Sequence, residues 1–204
     1  MTVAAAPAVT IRRLEPADAR QTVALLDTLR VSLFGVQSRR LHRALVADAI
    51  ARHIDGRVAL AGDDVSGVVL AAPRGYWTTG PLRHWSVAFD CVRARLLTHE
   101  PTHATRSSPS TPSSPADRVV YDAGSPRRTW RDPGNAWRII VVGTAPDMRG
   151  RGIAADLYRV LMRDRTLIAR IAVDNHASIR LHRSVGWRLY PDGDVVLAVH
   201  ERCG

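Results

Sequence analysis

The sequence predicts a single α/β domain spanning residues 1–204. Three observations carry this. Short segments of alternating or continuous apolar residues, as in strands, recur between segments whose apolar residues fall three and four apart, as in helices. The chain has 204 residues and is 46% hydrophobic, enough to bury one real core. The segments on either side of its one composition break look like parts of the same fold.

The elements follow in order. Val9 to Leu14 alternates apolar and polar residues and reads as a strand. Glu15-Pro16-Ala17-Asp18 is a helix start, with proline and acids in the first turn, and Leu25, Leu26 and Leu29 continue it at helical spacing. A second helix is expected from Ser38 to His53 with Leu41, Leu45 and Ile50 inward, closed by Gly56. Val58 to Ala61 and Val65 to Ala72 flank Gly62-Asp63-Asp64 and read as a hairpin. Leu82, Trp85, Phe89, Val92 and Leu96 give an amphipathic helix. Between Pro101 and Pro115, 12 of 15 residues are Ser, Thr or Pro, a stretch that cannot bury enough apolar area to offset its ordering entropy. Residues 99–134 are therefore expected to be a flexible insertion. Beyond it come a strand from Trp137 to Val142, a helix from Gly152 to Arg163 and a strand from Leu167 to Val173. A helix capped by Asn175 and running to Val185 follows, then strands at Trp187 to Tyr190 and Val195 to His200.

Charge narrows the function classes. The formal net charge is +10, and all 29 basic residues are arginine, with no lysine. The arginines are scattered, adjacent only at Arg12-Arg13, Arg39-Arg40 and Arg127-Arg128. A nucleic-acid partner is not expected, because that reading needs a basic patch or run. No apolar stretch approaches a membrane span. Cys91 and Cys203 fit neither a disulfide framework nor a zinc site, and no metal is expected. With no targeting segment recognised, a soluble cytoplasmic setting is the expectation.

The chemistry concentrates at Thr144-Ala145-Pro146-Asp147-Met148-Arg149-Gly150-Arg151-Gly152-Ile153-Ala154, between a buried strand and a helix. Glycines let backbone approach a ligand, and first-turn amides have no partner within the helix. Together with the helix dipole they form a phosphate site, to which Arg149 and Arg151 add charge. The dinucleotide fingerprint fails at Ala155, and a P-loop needs a lysine the chain lacks.

Arg149-x-x-Gly152-x-Ala154 at this junction resembles the acyl-coenzyme A motif of the GNAT N-acetyltransferase superfamily. Asn175-His176-Ala177-Ser178-Ile179-Arg180-Leu181-His182-Arg183-Ser184-Val185-Gly186-Trp187 resembles that family's N-x-x-A/S-x-x-L-Y/H-x-x-x-G-F stretch. The resemblance covers most of the chain except about 76–135.

It implies a mixed, partly splayed central sheet flanked by helices. It also implies acetyl-coenzyme A as co-substrate, with pantetheine in the splay beside Val142 and Thr144. The pyrophosphate would lie on the amides of Arg149, Gly150, Arg151, Gly152, Ile153 and Ala154, and Asn175 would either contact the coenzyme or only cap its helix. The implied reaction is direct attack by a neutral amine through a tetrahedral intermediate, with a small-molecule amine or a protein amino group as acceptor. An acyl-coenzyme A sensor without turnover is the alternative, and a homodimer stays open. His182 stands where relatives place the acid that meets the thiolate, against the plainer reading of a buried packing histidine. Neither of the two strands flanking the splay offers a carboxylate base, and Arg170 occupies the position where some relatives carry a glutamate. Tyr76, Trp77 and Trp85 are acceptor-pocket candidates, with core packing as the plainer reading.

Overall fold

The computed structural model describes residues 8–31, 38–76 and 134–202. Along these residues the strands are β1 (Val9–Arg13), β2 (Asp55–Ala61), β3 (Asp64–Ala72), β4 (Trp137–Thr144), β5 (Leu167–Ala172), β6 (Arg188–Asp192) and β7 (Val195–His200). The α-helices are α1 (Ala19–Thr28), α2 (Arg39–Ile50), α3 (Ile153–Met162) and α4 (His176–Ser184), and short 3-10 turns lie at Pro16–Asp18 and Pro146–Met148.

The entry to α1 is built as its sequence indicates. The Glu15 amide donates to the Asp18 carboxylate at 2.9 Å, closing a capping box. Asp18 is buried, and Arg12 grips both its oxygens, at 2.7 and 2.9 Å.

The strands form one mixed sheet in the order β1-β2-β3-β4-β5-β7-β6. β4 and β5 run parallel, and the other neighbouring pairs are antiparallel. β4 carries a bulge: Leu70 faces Val141 and Ala71 faces Ile139, so Ile140 is the extra residue. β4 and β5 pair only at Trp137 with Leu167 and Arg138 with Ile168, after which they part. The sheet is therefore splayed, as expected.

Two cores lie on its two faces. Val68, Leu70, Ala72 and Val141 pack with Leu25, Leu26, Leu41, Leu45 and Val46 of α1 and α2. On the other face Val69, Ala71, Ala169, Ile171, Val196 and Ala198 pack with Leu157, Tyr158, Leu161 and Ile179 of α3 and α4. Gly143 brings the end of α1 close to the splay, since any Cβ there would overlap the Leu29 side chain.

Several boundaries differ from the sequence reading, most of all the passage from α2 to β2. Gly56 does not close α2 but lies inside β2, which begins at Asp55 rather than Val58. The helix ends at Ile50, and Arg52, at φ 63°, reverses the chain instead. Glycine is needed at 56 for packing, because a Cβ there would stand 2.7 Å from that of Ala49. The amphipathic segment 82–96, most of the 99–134 insertion, Trp77 and both cysteines lie outside the described residues.

Candidate functional site

The splay leaves β4, from Ile139 to Thr144, with β3 on one edge and no strand on the other among the described residues. Val142 and Thr144 are half-buried on this segment. Ser66 anchors its end, the Ala145 amide donating to the Ser66 carbonyl at 2.8 Å. The 3-10 turn at Pro146–Met148 then buries Met148 and sends the chain outward.

Residues 149–152 are exposed. Gly150 and Gly152 have φ of 77° and 79°, a left-handed conformation that side chains strain. Gly152 is the N-cap of α3 and offers no side-chain cap. The first bond back into the helix runs from the Asp156 amide to the Gly152 carbonyl, at 3.0 Å. Among the described residues, no acceptor meets the amides from Gly150 to Ala155. Arg149 and Arg151 make no ion pair there either. The turn is a concave set of donors at the positive end of a helix, suited to a phosphate group.

Asn175 caps α4: its side chain accepts from the Ser178 amide at 3.1 Å. His182, near the other end of α4, is only 1% exposed. Its Nδ1 lies 2.7 Å from the Ser178 carbonyl, which can only accept, so Nδ1 carries the proton. Its Nε2, 2.9 Å from the Tyr158 hydroxyl, then accepts from that group. Trp187 meets the imidazole edge-on, with centroids 4.7 Å apart. Burial pushes the His182 pKa down, opposed by the Ser178 carbonyl, and pushes that of Tyr158 up. The pair is a neutral hydrogen-bonded contact between α3 and α4.

The structure thus gathers Val142, Thr144 and the 149–154 turn around one opening, with Asn175 and His182 on the helix that follows β5. Tyr158 was not recognisable as the partner of His182, because the two lie 24 residues apart. A second buried pair has no signal in the sequence: His42, fully buried on α2, meets Asp27 of α1 at 2.5 Å and the Val31 carbonyl at 2.9 Å. Tyr76 donates to the buried carboxylate of Asp48, which makes it a core residue.

The family model described as the acetyltransferase (GNAT) family matches residues 121–187, covering the turn, α3, β5 and α4. Residues 121–187 thus match the GNAT family model, and the chain carries the GNAT fold. Solved structures with the GNAT fold align along nearly the whole chain. Arabidopsis thaliana NAA60 in complex with acetyl-CoA is 15% identical, with a TM-score of 0.56, covering 97% of this chain and 100% of that one. The N-acetyltransferase from Staphylococcus aureus Mu50 is 16% identical, with a TM-score of 0.53, covering 95% and 97%. The diaminobutyrate acetyltransferase EctA from Paenibacillus lautus, in complex with L-2,4-diaminobutyric acid and coenzyme A, is 17% identical, with a TM-score of 0.51, covering 96% of each chain. At these identities the likeness is one of fold. No curated protein sequence matches the chain. No helix among the described residues is long and apolar enough to cross a membrane.

Proposed function

We propose that this GNAT domain is an N-acetyltransferase that moves an acetyl group from acetyl-coenzyme A to an amine. The observation that carries the reading is the turn at 149–154. Its amides from Gly150 to Ala154 meet no acceptor among the described residues, its two arginines are unpaired there, and it lies at the mouth of the β4–β5 splay. That donor set fits a pyrophosphate, and the NAA60 and EctA complexes, which hold acetyl-CoA and coenzyme A, support the same assignment.

The co-substrate supplies an activated acetyl thioester. This chain's residues do the rest. The amides of Gly150, Arg151, Gly152, Ile153 and Ala154 bind phosphate, and Arg149 and Arg151 add screened positive charge. The edge of β4 at Val142 to Thr144, which no described strand pairs, offers backbone partners for the amides of pantetheine and holds the thioester beside the acceptor. Backbone N–H groups there stabilise the charge that develops on the carbonyl oxygen.

His182 enters in a narrower role than the resemblance implies. Both its ring nitrogens are engaged and almost none of it is exposed, so we assign it to holding α4 against α3. Asn175 is assigned to the cap. No carboxylate lies on β4 or β5, so the amine's proton leaves through water or backbone in this account.

That missing carboxylate also favours a second reading, an acyl-coenzyme A sensor without turnover. The test is a melting curve with and without acetyl-coenzyme A, followed by thiol release with a panel of amines. A raised melting temperature with turnover supports the enzyme. A raised melting temperature without turnover supports the sensor, and no shift in folded protein overturns both.

A further inference from the structure

The β4–β5 opening has a second wall, formed by β5. Arg138 pairs with Ala72 on one side and Ile168 on the other, so these three side chains share a face, the one that packs on α1 and α2. By strand alternation Arg170 and Ala172 share that face with Ile168, while Ala169 and Ile171 point into the α3–α4 core. Arg170 stands just beyond the last residue of β5 paired with β4, where the strands have already separated. Leu197, its partner on β7, and Tyr190, next across on β6, are half-buried and form an apolar ledge beside it. On the β4 side the same opening is bounded by the end of α1, where Leu29 lies over Gly143.

The Arg170 side chain is 63% exposed, and its only partner among the described residues is Asp192, 3.6 Å away and itself 59% exposed. An ion pair this long and this wet holds its members weakly. A guanidinium, in contrast, presents a fork that takes a carboxylate through two parallel hydrogen bonds. A bare amine gains nothing from a cation at this position, since like charges repel. An amine that carries its own carboxylate gains a partner.

We infer that Arg170 binds the carboxylate of the acceptor, and that the acceptor is an amino acid rather than a peptide N-terminus or a simple amine. This rests on the acetyltransferase reading above and names the substrate class of that same opening. The carboxylate displaces Asp192 from the guanidinium, with Leu197 and Tyr190 beneath the substrate's carbon skeleton.

The test compares thiol release with L-amino acids and with the matching L-amino-acid amides, in the wild-type chain, Arg170→Gln, Arg170→Lys and Asp192→Asn. The expected result is a preference of about tenfold or more in kcat/KM for at least one free acid over its amide, the size of one charge-assisted contact. Arg170→Gln removes that preference through KM for the acid, leaving KM for acetyl-coenzyme A unchanged. Arg170→Lys retains part of it, and Asp192→Asn lowers KM for the acid. Equal use of acids and amides by the wild type, or a preference that survives Arg170→Gln, overturns the inference while leaving the enzyme reading intact. If no amine releases thiol, the enzyme reading fails. Calorimetric titration of the coenzyme A-saturated protein with the same acids and amides then decides the inference, by whether acids bind and Arg170→Gln abolishes that binding.

Discussion

The turn at 149–154 and the His182 pocket come from the same stretch of chain and from the same family resemblance, yet they are opposites. The turn is exposed at 149–152, and its amides from Gly150 onward meet no acceptor among the described residues. The pocket of Tyr158, His182 and Trp187 is closed, and its polar atoms all have protein partners. Unsatisfied donors at a helix start signal a ligand, because a protein seldom leaves a concave set of amides without purpose. A satisfied polar pair in a core signals packing, because breaking it would strand a buried hydroxyl. A motif match alone does not separate the two cases, and the hydrogen-bond partners do.

The largest expected effect tests the closed half. His182→Ala leaves a cavity and orphans the Tyr158 hydroxyl, which costs about 3 kcal/mol. The melting temperature should fall by roughly 6–12 °C for a domain of this size. His182→Gln, which keeps a polar partner for Tyr158, should fold with a smaller loss and an unchanged pH profile of kcat. A profile that loses a titrating limb in His182→Gln would return this residue to proton transfer.

The next effect tests the open half. Gly152→Val places a β-branched residue at φ 79°, with strain of roughly 1–2 kcal/mol, and crowds the N-terminus of α3. The melting shift produced by acetyl-coenzyme A should shrink by the equivalent of about tenfold or more in affinity. An undiminished shift would move the phosphate site elsewhere.

pH separates the halves in a third way. Burial lowers the folded-state pKa of His182. The unfolded chain therefore binds the proton more readily, and folding stability is complete above the unfolded value of about 6.5 and lost as pH falls toward the depressed folded value. Denaturant midpoints should decline below that pH in the wild type, and this decline should be shallower in His182→Gln. Equal declines in both would place the titrating group elsewhere.

The smallest effect concerns Asn175. As a cap alone, Asn175→Ala should cost about 1 kcal/mol of stability and leave acetyl-coenzyme A affinity unchanged. A clear loss of affinity would make it a ligand contact as well.

The sequence was most legible where local chemistry punctuates the chain. Gly152 and Asn175 mark the starts of α3 and α4, and both helices begin at the next residue. The splay is legible only through the family resemblance, since it depends on how far two distant strands stay paired. Gly56 misled because a glycine required for packing on Ala49 reads locally like one required for a turn. His42 carries no local signal of its burial, because Asp27, the acid that accompanies it into the core, sits 15 residues away. Arg170 could be placed by motif alignment, but its exposure and its loose pairing with Asp192 exist only in three dimensions.

The most direct measurement is a titration of nitrogen-labelled protein with acetyl-coenzyme A, followed by amide NMR. The largest shifts are expected at Gly150 to Ala155, with Tyr158 and Trp187 nearly still. Shifts concentrated in the Tyr158–Trp187 pocket, or none between Gly150 and Ala155, would contradict this expectation.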